Sequence, residues 1–176
     1  TIKLNVATNN TNISTATTTD VDTIDLADGV DVTMTRAQNA KIAAAASDNT
    51  VTLSDAGAAT GDANVETYVL AAGAQTFTLG AAAQSVTADG TGANGAIVID
   101  TDTLTTVSGT FTSAGNDTIK LNVETNNTNI STATTTDVDT IDLADGVDVT
   151  MTRAQNAKIA AAAGDNTVTL SDAGAA

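Results

Sequence analysis

The segment Thr1 to Ala59 returns almost letter for letter as Thr118 to Ala176, a shift of 117 positions with two changes, where Ala7 becomes Glu124 and Ser47 becomes Gly164. Such a period constrains the fold before any local pattern does, because neighbouring copies must bury one another's faces. The chain divides accordingly into a first half-unit at 1–59, the remainder of that unit at 60–117, and a second copy of the first half-unit at 118–176. Chemistry needs a site once. A long module copied nearly unchanged adds length, valency or a regular lattice, so the chain reads as one and a half units of a longer array.

Within a unit, the side chains alternate. Ile2, Leu4 and Val6 fall on one face of a strand at Thr1–Val6, and β-rich runs follow at 21–27, 30–35, 50–53, 65–71, 75–79, 85–88, 96–99, 104–107 and 110–112. Asp28-Gly29 marks a turn, either a hairpin or a corner between parallel strands. Thr35 caps a helix expected over Arg36 to about Ala46, the only convincing helix of the repeat. The run from Ala7 to Asp20 is loop or polar strand. Apolar centres recur about every twenty to twenty-five residues, which is about one coil of a β-solenoid and gives about five coils per unit.

The expected fold is therefore all-β, a parallel β-solenoid with a short helix interrupting one coil. A tandem β-sandwich is the alternative, since strand-like runs at this spacing also suit an immunoglobulin-type module. Against the sandwich stand the helix and the missing Trp and Cys. One Tyr and two Phe leave a thin core of Ala, Val, Ile and Leu.

Six basic against 21 acidic residues, a net charge of -15, oppose phosphate backbones and anionic membranes, so no nucleic-acid partner is expected. No apolar run is long enough to span a bilayer, and membrane insertion is not expected either. Without Cys or His the chain lacks disulfides, thiolate metal sites and the commonest general base. Only Lys3, Arg36, Lys41 and their copies are basic, too few to build a groove that cleaves an acidic polysaccharide, and the chain is not expected to be an enzyme.

The acids form a series. Asp20, Asp22, Asp25, Asp28 and Asp31 recur as Asp137, Asp139, Asp142, Asp145 and Asp148. Closely spaced carboxylates beside a Gly turn can supply oxygen ligands to Ca2+, although in an extended strand Asp20 and Asp22 face away from Asp25 and only a subset can converge. The bland alternative is a solvated acidic face. Asn116 and Asp117 are further candidates, in Gly115-Asn116-Asp117-Thr118-Ile119-Lys120-Leu121. This stretch resembles the second half of the RTX nonapeptide of secreted bacterial toxins and adhesins, although Ser113-Ala114 stands where the double Gly should be.

In composition the chain is similar to long tandem-repeat surface proteins of Gram-negative bacteria, the type I secreted adhesins and some S-layer proteins. That resemblance implies folding assisted by calcium outside the cell and a structural or adhesive role at the bacterial surface. The partners expected are neighbouring repeats, in a filament or lattice, with a glycan or protein ligand elsewhere in the parent protein. A tandem binding module for glycan or protein is the alternative. A last reading comes from Thr-x-Thr pairs at 33/35, 50/52, 76/78, 101/103 and 110/112: a flat ladder of such pairs binds ice on some β-solenoids, whereas uneven intervals favour ordinary strand Thr.

Overall fold

The computed structural model describes residues 1–88, 95–115 and 117–173. Its strands wind into a parallel β-solenoid of about eight turns, and every strand pair is parallel. The tandem sandwich is thereby excluded, since its sheets require antiparallel neighbours.

Odd-numbered strands make one face: β1 (Lys3–Val6), β3 (Thr23–Leu26), β5 (Ile42–Ala45), β7 (Ala58–Thr60), β9 (Gln75–Thr78), β11 (Ala96–Asp100), β13 (Thr118–Val123), β15 (Thr140–Leu143) and β17 (Ile159–Ala162). Even-numbered strands make the other: β2 (Thr11–Asn12), β4 (Asp31–Met34), β6 (Thr50–Leu53), β8 (Thr67–Leu70), β10 (Ser85–Ala88), β12 (Phe111–Ser113), β14 (Thr128–Asn129), β16 (Asp148–Met151) and β18 (Thr167–Leu170). Each face is interrupted once. The odd face splits between β5 and β7, and the even face narrows between β12 and β14 to the bridges Thr106–Asn129 and Thr110–Thr134.

From β1 to its repeat β13 there are six steps along the odd face, so a unit holds six coils and not five. Coil length varies because the corners differ: Thr50 pairs with Thr67, a step of 17 residues, whereas Val86 pairs with Phe111, a step of 25. Equal spacing of apolar centres therefore undercounts the short coils.

Alternation within each strand sends one set of side chains inward. In β3, β4, β6 and β8 every second residue is buried, and Ile24, Met34, Val51, Tyr68 and Leu70 are fully enclosed. The core is one continuous aliphatic column with three aromatic rings, all from the segment between the copies, of which Tyr68 and Phe77 lie with centroids 4.7 Å apart. Burial of each large side chain contributes roughly 1.5–3 kcal/mol.

The helix is shorter than its Ala-rich sequence predicts. It makes a single turn at α1 (Arg36–Asn39), capped reciprocally by Thr35 and Gln38, and recurs as α2 (Arg153–Asn156). The following Ile42–Ala45 becomes β5, with Ile42 opposite Ile24 and Ala45 opposite Leu26. Pairing with a preformed neighbour outweighs the few tenths of a kcal/mol per residue by which Ala favours helix. The expected strand at 104–107 is only a bridge, and Ala7–Asp20 holds the two-residue β2 between turns.

Candidate functional site

Several acids sit at the corners and bind the coil before them. Asp22 Oδ2 accepts the Ile2 N–H at 2.6 Å, and its copy Asp139 accepts that of Ile119 at 2.8 Å. Asp137 accepts from Ser113 N–H at 3.2 Å, and Asp117 Oδ1 accepts from Gly95 N–H at 2.7 Å. Asp55 and Asp172, outside the expected series, take the N–H groups of Arg36 and Arg153, each at 2.8 Å. These are charge-assisted bonds from one coil to the next, placed where the ladder has ended and backbone donors would otherwise be unpaired.

The rest of the series is divided. Asp25 pairs with Lys3, and Asp142 with Lys120 at 3.2 Å, across adjacent strands of the odd face. Asp31 and Asp148 point outward from β4 and β16 on the even face, and Asp20, Asp28 and Asp145 lie on exposed turns. Asn116 lies outside the described residues.

Cations are already present in these corners. Lys41 Nζ donates to the carbonyls of Thr18 at 2.6 Å and Val21 at 2.8 Å, and Lys158 Nζ to those of Thr135, Thr136 and Val138 at 2.6–2.9 Å. Asp117, Asp137, Asp139 and Lys158 border one open cleft of about 490 Å³. Calcium needs six to eight oxygens. Here the ammonium occupies the carbonyls, while Asp117, Asp137 and Asp139 each give one oxygen to a backbone N–H and Asp117 Oδ2 is buried without a hydrogen-bond partner. Among the described residues no group of three or more His, Cys, Asp or Glu side chains is gathered as a metal site in this arrangement.

A second network went unread in the sequence. Gln38 Nε2 donates to the carbonyls of Ile13 and Ala16 in the preceding coil, and Gln155 repeats this with Ile130 and Ala133. Gln84 does the same for Asp62 and Val65 while its Oε1 accepts from Gly80 N–H. Asn49 and Asn166 accept from the N–H groups of Val30 and Val147, both at 2.8 Å. The three glutamines and Asn49 are buried. The pattern Thr35-x-x-Gln38 carried the readable signal, a capping box whose amide has a free NH2 to spend on the preceding coil.

One cleft marks the split in the odd face. Arg36, Asn39, Ile42, Ala58, Thr60 and Asp62 line about 470 Å³ there. Below it Tyr68 donates its hydroxyl to Asn39 Oδ1 at 2.9 Å and accepts the Asp62 N–H at 2.8 Å, and burial raises its pKa above the ordinary tyrosine value. No helix among the described residues is long and apolar enough to cross a membrane.

Compared with protein families, curated proteins and solved structures, the chain matches none. What the geometry itself defines is a tandem-repeat β-solenoid whose corner groups are spent on holding one coil to the next.

Proposed function

We propose that this chain is part of a structural array, a spacer, fibre or surface-layer element displayed outside a bacterial cell. The observation that carries the reading is the junction between units. Ala96–Asp100 of β11 pairs residue for residue with Thr118–Asn122 of β13, so each added unit lengthens one body with no hinge between domains. Solenoid stability is a sum of coil and interface terms, which suits a part selected for reach. The absence of Cys and the charge of -15 agree with a soluble surface array that needs no disulfide.

Chains of one and a half, two and a half and three and a half units test it by small-angle scattering. At about 4.8 Å per coil, six coils should add about 29 Å to the longest dimension per unit. A radius of gyration growing as for a compact globule would sink the spacer reading. The same reading has an ionic version, in which acidic corners of an adhesin-like or S-layer-like array take up calcium. A melt with calcium and then with chelator separates the two: a ligand of the folded state raises the melting temperature by mass action, and an unchanged melt leaves the metal-free array.

A further inference from the structure

The even face carries an array that the linear sequence hides. Along β6, β8, β10 and β12 the outward positions form two columns in strict register. One is Thr50, Thr67 and Ser85, continued just before β12 by Thr110, whose N–H donates to Ser85 Oγ at 3.1 Å; the other is Thr52, Val69, Thr87 and Thr112. Intervals between these pairs are uneven along the chain because corners absorb the difference, and evenness in sequence is therefore the wrong criterion. The block has seven hydroxyls, one Val and no charge on a chain of net charge -15. Charge returns outside the block: Asp31 and Asp148 point outward elsewhere on the even face, and Lys3, Asp25, Asp100, Lys120 and Asp142 on the odd face.

The geometry points to this uncharged block of the even face as a binding surface for the ordered water of an ice crystal. A neutral array repeating about every 4.8 Å along the axis and about 6.7 Å along each strand is complementary to a ligand that is itself neutral and periodic in two dimensions. Each Thr presents a methyl and a hydroxyl on a stiff, β-branched side chain, so little rotamer freedom remains to be lost on binding. Thr87 and Thr112 Oγ1 lie 3.0 Å apart, hydrogen-bonded across the strands, which orients part of the array in advance. A neutral polysaccharide fits less well, because sugar rings stack on exposed aromatic faces and all three aromatic residues, Tyr68, Phe77 and Phe111, are 0% exposed.

The test is inhibition of ice recrystallisation, with crystal shaping watched under a cold-stage microscope. The unmodified chain should shape crystals at low protein concentration, equally at low and high salt because no charge is used. Thr52→Lys with Thr87→Lys should raise the concentration needed by about tenfold or more, while Thr76→Lys with Thr78→Lys on the opposite face should leave it unchanged. Circular dichroism checks folding, and Thr87→Gln alone replaces the double variant if that one melts. Unaltered recrystallisation with the unmodified chain overturns the proposal. So does equal loss from both faces, or retention on cellulose or chitin with no effect on ice.

Discussion

The two copies of the 59-residue segment hold almost the same sequence in different places, and their burial differs accordingly. Ile2 is 54% exposed while its copy Ile119 is 1% exposed; Leu4 is half-buried and Leu121 fully buried. At the other end the order reverses: Leu53 is 1% exposed under β8, and Leu170, with no described strand beyond it, is 40% exposed. A coil therefore does not complete its own core. Its apolar side chains are enclosed by the coils on either side, which is the physical content of a solenoid and the reason the sheet ends are its weak points.

The leucines break or sharpen this contrast most. Leu121→Ala opens a cavity inside a continuous column and should cost about 2–5 kcal/mol, whereas Leu4→Ala in the first coil should cost about 1 kcal/mol. Leu53→Ala and Leu170→Ala should show the same inequality. Urea denaturation of the four variants measures it. Equal losses at Leu4 and Leu121 would mean that each copy folds as its own unit.

The glutamines should behave oppositely. Gln38 and Gln155 both bind the coil before them, and that coil is present in both copies. Replacing either by Met leaves the carbonyl of Ala16 or Ala133 and the N–H of the capping Thr without that partner, while the carbonyl of Ile13 or Ile130 keeps the N–H of Ala16 or Ala133, and each variant should lose roughly 1–3 kcal/mol. The comparison is equality: a loss at Gln155 well below that at Gln38 would show that the second copy's corner is frayed, whatever its hydrogen bonds.

How far this could be read in advance follows from the range of each interaction. Alternation in Thr23–Leu26, Asp31–Met34 and Thr50–Leu53 is a local property, and with the 117-residue period it was enough for parallel coils. The length of α1 was not, because Ile42–Ala45 is strand only by virtue of β3 beside it. The acids were visible as a series, but their partners lie about twenty residues away: Asp22 takes the Ile2 N–H and Asp139 that of Ile119, and local spacing names neither. The Thr pairs show the same limit. Thr50/Thr52 and Thr110/Thr112 share the even face while Thr76/Thr78 lie on the other, a division set by coil length.

Tyr68 belongs to neither copy and tests the segment between them. Tyr68→Phe leaves Asn39 Oδ1 and the Asp62 N–H without their shared hydroxyl and should cost about 1–3 kcal/mol. Its ionisation adds a pH signature. Burial raises the folded pKa, so the unfolded chain gives up this proton first as pH rises. The contribution is complete below about pH 10, the ordinary tyrosine value, and is lost progressively above it until the buried phenol ionises. The difference in stability between wild type and Tyr68→Phe should therefore be flat to about pH 10 and narrow beyond it. A difference that stays constant through the alkaline range would remove the hydroxyl from the account.

The smallest effect concerns one of the two positions where the copies differ. In the first copy the turn after β5 places the positive φ on Asp48, at 63°, and Gly29 N–H donates to the Ser47 carbonyl. In the second copy the positive φ moves one residue back to Gly164, at 66°, whose carbonyl accepts from Asn166 N–H instead. A Cβ at Gly164 would lie 1.5 Å from Asp145 Oδ1, so Ser cannot follow this route without moving the carboxylate. The first copy supplies the other route, since Asp tolerates the left-handed region better than most residues. Gly164→Ser should thus transfer the positive φ to Asp165 and restore a bond from Gly146 N–H to residue 164. The lower entropy of unfolded Ser offsets the cost at Asp165, and net stability should change by less than about 1 kcal/mol. Backbone couplings by NMR report the transfer directly. If Asp165 keeps its ordinary φ in the variant, the residue at 164 does not choose the route, and the neighbouring coil must set it, since β8 lies beside β6 whereas no described strand lies beyond β18.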